Sequence, residues 1–261
     1  MTPERSVRDL MLQRLAEGSL PGERADPYKL VLAVEGGGMR GAVSSGMLLA
    51  LEQLGFRNTF DEVVGTSAGA IAGAFFVIGE GTKGSVLYYT VLNSERFVDR
   101  RRLFRSSAPI LDLDYLIDHA FERHGFSWAA LIASDIPVFA TVSPVHPHNP
   151  RRLFRVGESE ERARRVLAAT ANLPVIAGSS RFVGSDEYVD GGMLESVPWL
   201  SAIERGATHV LVARSRRFVE GDGPEQPNVF ERTTVPRLVR RMHGVHVAAL
   251  VDESAERFWY N

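Results

Sequence analysis

Apolar side chains first recur at Val7, Leu10, Met11 and Leu15, the spacing of one helix face. Gly18 and Pro21-Gly22 end the pattern, so residues 5–17 predict a leader helix. From Tyr28 the style changes. Lys29 to Val34 reads Lys-Leu-Val-Leu-Ala-Val, a near-continuous apolar run of the kind buried on both faces of a parallel sheet. It stops at Glu35 and the glycines Gly36, Gly37 and Gly38. Helical spacing returns over Arg40 to Leu54, with Val43, Met47, Leu48, Leu51 and Leu54 in register and Gly55 closing the helix as a C-cap. Phe60 to Val64 predicts a second strand, and Ala70 to Ile78 a helix packed all round.

Strand, turn, helix, twice over, implies right-handed βαβ units and a mainly parallel sheet covered by helices. The middle of the chain, 82–135, reads as mostly helical, with Asp114 to Phe121 the clearest helix and a lid or cap element expected there. Further on, strands are predicted at Pro137 to Val142, Tyr188-Val189 and His209 to Ala213, and helices at Ser159 to Ala171 and Leu200 to Arg205. Val219 to Pro227 has the Gly, Pro and acidic content of a mobile loop, and 230–258 the pattern of an amphipathic helix. Arg-Arg-Leu-Phe-Arg occurs at 101–105 and again at 151–155, but the surroundings do not match and no repeat is inferred.

Composition narrows the function classes. Thirty basic against thirty-two acidic residues in a chain of 261 leave a net charge near zero, without the electrostatic footprint of a nucleic-acid binder. The absence of cysteine removes disulfides, thiolate metal sites and a cysteine nucleophile. The amino terminus, mixed in charge, lacks the layout of a secretory signal. The apolar stretch Ala70 to Ile78 is too short for a bilayer, which takes roughly 20 residues. A cytoplasmic protein is expected, with any membrane contact peripheral.

The candidate chemistry lies in the turns. Gly65-Thr66-Ser67-Ala68-Gly69 stands between a strand and a helix, the context of a nucleophile elbow, in which small flanking residues permit a sharp turn that lifts the serine hydroxyl to the top of the sheet. The helix behind it aims N–H groups and its positive dipole end at the same place. The plainer reading is a serine that only N-caps the helix. One unit earlier, Gly36-Gly37-Gly38-Met39-Arg40-Gly41 can turn N–H groups toward a ligand and supply further oxyanion donors. The same string satisfies the dinucleotide fingerprint. That reading requires an acid at the far end of the second strand, whereas Asp61 and Glu62 stand at its beginning. Asp190-Gly191-Gly192 places a carboxylate on a tight turn, and with Ser67 it supplies the base that a weakly nucleophilic hydroxyl needs. His209, His243 and His246 follow Asp190 in the order of a histidine triad. His209, however, opens a strand, and the other two fall in the carboxyl-terminal helical segment.

Taken together, the three motifs resemble the patatin-like phospholipase family, over roughly residues 30–215. Ala168 to Pro174, reading Ala-Ala-Thr-Ala-Asn-Leu-Pro, is similar to that family's small-residue segment ahead of its catalytic Asp, although the family often has serine at the place of Ala169 or Thr170. The resemblance implies a three-layer α/β/α fold with a mainly parallel central sheet and a Ser67–Asp190 dyad, with no histidine, metal or cofactor. It implies an oxyanion hole of Gly37 and Gly38 N–H groups, and Arg40 matches the family's basic position. The substrate implied is a lipid or phospholipid ester, cleaved through an acyl-enzyme. A thioesterase or acyltransferase using the same dyad and a non-catalytic lipid-binding regulatory protein are the alternatives. The expected organisation is a leader helix at 1–29 packed on a catalytic domain at 30–215, with 216–261 completing the same globular unit.

Three further clusters carry charge. Asp112, Asp114 and Asp118 mimic the opening of a calcium loop, but Ile117 and Arg123 occupy the positions of its glycine and final glutamate, so capping and surface charges are expected. The clusters Arg100 to Arg105 and Arg151 to Arg155 are expected to be solvated loops with internal ion pairs, with anionic-lipid docking as the alternative.

Overall fold

The computed structural model describes residues 5–102, 109–149, 152–216, 240–241 and 247–248. The expected loop at 219–227, His243, His246 and most of the expected helix at 230–258 lie outside the described residues.

The first helix, α1 (Val7–Ala16), begins where the Ser6 hydroxyl accepts the Asp9 N–H at 3.1 Å, an N-cap. Leu10 and Met11 face the core as the spacing predicts, but Leu15 is exposed and Arg14 is fully buried in its stead. The reason is a complete set of acceptors. Arg14 donates to both carboxylate oxygens of Asp26 (2.9 and 2.8 Å), to Asp61 (2.8 Å), and to the carbonyls of Thr59 (2.7 Å) and Tyr28 (2.8 Å). A guanidinium with all its donors met tolerates burial, and this one fastens α1 to the entrances of the first two strands.

Next come β1 (Leu30–Val34), α2 (Gly41–Gln53), β2 (Glu62–Thr66), α3 (Ala68–Val77) and α4 (Gly81–Thr90). A π-helical turn at Tyr115–Ala120 runs into Phe121–Arg123, together α5, and α6 is Trp128–Ile132. The chain continues through β3 (Val138–Pro144), β4 (Leu153–Arg155), α7 (Glu160–Thr170), β5 (Arg181–Val183), β6 (Asp186–Asp190), α8 (Trp199–Glu204) and β7 (His209–Ala213).

The sheet order is β5-β6-β3-β2-β1-β7, with β4 also on β3. The strands β7, β1, β2 and β3 are mutually parallel, as the two βαβ units require. Beyond β3 the sheet turns antiparallel: β4 pairs with Phe139 to Thr141, and β6 with Val142 to Pro144 along the same edge. The short strands β4 and β5 have no counterpart in the periodicity, because three residues are too few to display one.

Alternation along the strands divides the interior. Leu30, Leu32, Val34 and Val63 enter the main core with side chains of α3 and α7, whereas Val31 and Val64 pack with Ala202 of α8 in a smaller cluster on the opposite face. The result is the α/β/α sandwich, one layer thicker than the other. Phe75, Phe121, Phe126 and Trp128 pack ring on ring at the far side of α3, with contacting centroids 4.7–5.8 Å apart.

The second Arg-Arg-Leu-Phe-Arg segment is not a solvated loop. Its Leu153 to Arg155 are β4, and Phe154 is buried with its ring 5.2 Å from that of Tyr188. In the first copy, Arg102 pairs with Asp99 and Asp112, and 103–105 lie outside the described residues. The three acids of the calcium-like string are committed elsewhere: Asp112 caps the Tyr115 N–H, Asp114 pairs with Arg181, and Asp118 with Arg164.

Replacing Arg14 with Ala leaves Asp26 and Asp61 without their cation. A loss of about 3 kcal/mol in unfolding free energy is expected, measured by urea titration, with little change in turnover by the folded fraction.

Candidate active site

The turn between β2 and α3 has the shape the pentad predicts. Ser67 adopts φ 52° and ψ −123°, a conformation that non-glycine residues rarely hold unless the surroundings impose it. Close packing imposes it here. A Cβ added at Gly65 would stand 2.4 Å from the Ala70 Cα, and one at Gly69 would stand 2.3 Å from the Val34 carbonyl oxygen. Both are far inside contact distance, so only glycine lets α3 descend onto the ends of β1 and β2. Ser67 makes no side-chain capping bond to α3, which sets aside the plain N-cap reading.

Strand register brings Asp190 to the same height. Thr66 pairs with Thr141, and the next residue of β3, Val142, pairs with Asp190. Because β6 is antiparallel, it returns toward the sheet from beyond its carboxyl edge and ends one residue past the level of Thr66, where Ser67 turns. Asp190 is buried. Its Oδ1 accepts the Gly192 N–H at 2.7 Å, and Oδ2, also buried, has no close hydrogen-bond partner. Burial pushes the carboxyl up from 3.8 to about 7, opposed by the neighbouring Ser67 hydroxyl and by the Gly192 N–H.

A belt of polar contacts holds the two residues, and most of it is not legible in the motifs. Thr170, at the end of α7, accepts the Ser67 backbone N–H on its hydroxyl at 2.9 Å. Two residues on, the Asn172 carbonyl accepts the Asp190 N–H at 3.0 Å. The tripeptide Thr170-Ala171-Asn172 therefore grips both backbones and sets their separation. Beneath it, Thr66 Oγ1 lies 2.7 Å from Thr141 Oγ1 and donates to the Glu195 carbonyl at 2.8 Å. One hydrogen per hydroxyl makes Thr141 the donor to Thr66. A polar residue among the small apolar ones of 168–171 was the available signal for Thr170.

In the glycine loop the N–H groups divide. That of Gly36 donates to the Ser196 carbonyl at 2.9 Å, whereas those of Gly37 and Gly38 have no acceptor among the described residues. At the start of α3 the Ala68 N–H is likewise unengaged. The loop is fixed from behind by Glu35, which is buried and accepts the Ser215 and Arg216 N–H groups and the Ser215 hydroxyl. An acid closing an apolar strand was its signal in the sequence. Met39 and Arg40 are exposed at the loop's tip, and Gly41 starts α2.

Ser67 opens onto a cavity of about 560 Å³ lined by Met39, Ile71, Leu87, Leu116, Leu173 and Ile176, among others. Much of its wall comes from residues 84–116, the region where a cap was expected. The chain's phenylalanines contribute little to it. Phe97 is the one at the wall among the described residues, the larger aromatic cluster being core.

The histidine alternative loses its described member. His209 pairs with Leu30 at the amino ends of the strands, whereas Ala213 pairs with Val34, so His209 stands about 13 Å below the carboxyl edge. Its ring contacts Thr208 and the Arg5 carbonyl. The acids of the dinucleotide reading are engaged too: Asp61 by Arg14 and Arg24, and Glu62 by Lys29 and Arg205.

A parallel core with a strained serine turn at its carboxyl edge defines an α/β fold whose turn has the shape of a nucleophile elbow. Within that class the sequence is decisive: residues 32–203 match the patatin-like phospholipase family, and the protein belongs to it. The family is one of lipid acyl hydrolases. The chain is similar to the uncharacterized protein YjjU of Escherichia coli K12, 24% identical over 192 residues that make up 72% of this chain and 52% of that protein. It thus spans about half the length of the curated relative it matches. Among solved structures it is similar to VipD from Legionella pneumophila, with a TM-score of 0.44, 15% identity and coverage of 72% of this chain and 50% of that one. It is also similar to ExoU of Pseudomonas aeruginosa, solved in complex with SpcU, with a TM-score of 0.36, 14% identity and coverage of 93% and 54%.

Two outcomes are expected from the polar belt. Thr170→Val leaves the buried Ser67 N–H without an acceptor, at a cost of about 1–3 kcal/mol. Turnover should fall at least ~10-fold through kcat with KM little changed, and Thr170→Ser should restore it. The second outcome concerns pH. The folded-state pKa of Asp190 is raised, so the stability associated with its protonated form is fully present below the unfolded value near 3.8 and is lost as pH rises through about 7. Asp190→Asn should therefore gain on the wild type by a few kcal/mol, at roughly 1.4 kcal/mol per pH unit, between about pH 4 and 7 in denaturant titrations.

Proposed function

We propose that the protein hydrolyses carboxylic esters of phospholipids or lysophospholipids through an acyl-enzyme on Ser67, with Asp190 as the base. The observation that carries this reading is a serine held at a strained turn and opening on a largely apolar cavity, with a buried carboxyl beside it whose pKa is lifted to about 7. A carboxylate of ordinary pKa is a weak base toward an alcohol, and desolvation brings Asp190 near the operating pH, where general-base catalysis is most effective.

In the proposed sequence, Asp190 Oδ2 takes the hydroxyl proton as Ser67 Oγ bonds to the acyl carbon. The carbonyl oxygen becomes an oxyanion held by the Gly37 and Gly38 N–H groups, with the Ala68 N–H and the end of α3 adding to the field. Collapse breaks the bond to the leaving alkoxide, which takes the proton from Asp190. A water then repeats the step: Asp190 accepts its proton, the hydroxide attacks the acyl carbon, and Ser67 leaves with the proton returned. The cavity suits the acyl chain, its Leu and Ile walls offering no competing polar contact. No helix among the described residues is long and apolar enough to cross a membrane. We infer a cytoplasmic enzyme that meets its substrate at a surface.

Labelling with a fluorophosphonate probe, followed by hydrolysis of esters of graded chain length, tests this reading. The wild type should take the label, Ser67→Ala should take none, and Asp190→Asn should lose at least ~10³-fold in kcat, the scale of losing a general base. The pH dependence of kcat/KM should show a single rise centred near 7, as Asp190 ionises. Labelling that survives Ser67→Ala, or a rise centred near 4, contradicts the assignment.

A further inference from the structure

One surface carries an inference beyond the dyad. The helices α2 and α4 lie side by side and antiparallel: Gly41 packs under the Tyr88 hydroxyl at one end, and Gly81 meets Leu49 and Glu52 at the other. Their outward positions are Val43, Gly46, Met47 and Ala50 on α2, and Thr82, Val86, Tyr89 and Thr90 on α4. None of these is charged, although 24% of the chain is. The one charge within each helix is occupied: Glu52 Oε2 accepts the Gly81 N–H at 3.0 Å, and Lys83 pairs with Glu80 at 2.6 Å. Val43, Met47 and Val86 are each more than a third exposed, and Tyr89 is 76% exposed. A contiguous uncharged apolar face of this kind on a folded chain marks an interaction site.

Its position says what it meets. Met39, half exposed and one helical turn ahead of Val43, also lines the cavity that reaches Ser67, so the apolar face points toward the cavity mouth. At the rim, Glu95 is matched by Arg101 and Asp99 by Arg102. Arg40 and Arg100, both exposed, have no acidic partner among the described residues. The mouth is thus apolar on one side with a surplus of positive charge beside it. This is the pattern of a face that sinks shallowly into acyl chains while arginines meet anionic head groups.

We propose that the outward face of α2 and α4 docks the protein on an anionic phospholipid surface and holds the cavity mouth against it. The inference rests on the lipid-ester reading for why a mouth should open there. A lipid drawn from such a surface enters the cavity acyl end first without crossing water, and Ser67 then meets the ester at the boundary.

The test uses the full chain carrying Ser67→Ala, so that binding is read without turnover, with vesicles of phosphatidylcholine alone or mixed with phosphatidylglycerol. Sedimentation should show binding to the mixed vesicles, weakened at least ~10-fold by Met47→Glu with Val86→Glu, as expected when charge must enter the interface. Arg100→Gln should weaken binding to the mixed vesicles only. With Ser67 intact, the Met47→Glu/Val86→Glu variant should hydrolyse a soluble short-chain ester within about twofold of the wild type while losing activity on vesicles. Tyr89→Trp supplies a reading that needs no loss: its emission should shift to the blue with mixed vesicles and be quenched by brominated acyl chains. Undiminished binding by the glutamate variant, or an unshifted Tyr89→Trp, overturns the proposal. So does a dimer that the same substitutions dissolve in a protein that ignores vesicles, which assigns the face to a second copy. Absence of turnover on any ester would contradict the hydrolase reading and leave the sedimentation result standing.

Discussion

The close descent of α3 onto the carboxyl ends of β1 and β2 is the contact on which the site depends. With Gly69 against the Val34 carbonyl and Gly65 against Ala70, the helix is nearer the strands than side chains ordinarily allow. That nearness forces Ser67 to positive φ and presents its hydroxyl above the sheet instead of to the helix terminus. It also brings the free N–H groups at the start of α3 close to the glycine loop, so that the raised serine hydroxyl and the unengaged N–H groups around it are consequences of one packing event. The strain at Ser67 is of the order of 1–3 kcal/mol. Ten consecutive buried residues of α3 are available to offset it.

The second constraint is the burial of Asp190. A carboxyl in this position is costly to ionise, and the structure leaves that cost partly uncompensated: one oxygen receives an N–H, and among the described residues the other has no close partner and no arginine or lysine pairs with it. Elsewhere the protein treats buried charge in the opposite way. Asp26, Asp61 and Glu62 are each matched by arginine, and the pKa values of Asp26 and Glu62 are held low despite burial. Matched acids fasten elements together at the amino ends of the strands. Asp190, at the carboxyl edge, has no such cation beside it among the described residues, and burial raises its carboxyl instead.

The polar belt reconciles these features. Thr170 and Asn172 bind the two backbones, while Thr66, Thr141 and Glu195 lock the strands and the following loop underneath. Each is a short side chain or a carbonyl with few alternatives, which suits a frame that must fix a distance to a fraction of an ångström. Above this frame the cavity is largely aliphatic, and the outward positions of α2 and α4 beside it carry no charge. Polarity thus falls from Ser67 and Asp190 outward to the aliphatic wall and returns at the arginine rim.

Local chemistry written into the chain settled the parallel core, the serine turn, the glycine loop and the Asp-Gly-Gly turn as separate pieces. Continuous apolar strands, helical periodicity and glycine at fixed offsets act over a few residues, so they are readable without a fold. The same locality explains the misreadings. Leu15 fits the helix spacing better than Arg14, yet Arg14 is buried, because its acceptors come from residues 26, 28, 59 and 61. The second Arg-Arg-Leu-Phe-Arg segment reads as a charged surface but enters the sheet, because β3 offers it an open edge. Only the tertiary structure decided that β6 returns antiparallel to set Asp190 level with Ser67, that Thr170 and Asn172 hold both, and that burial lifts the carboxyl to about 7. Those are distances and dielectric surroundings made by segments from 18 to more than a hundred residues apart, and no pattern along a chain encodes them.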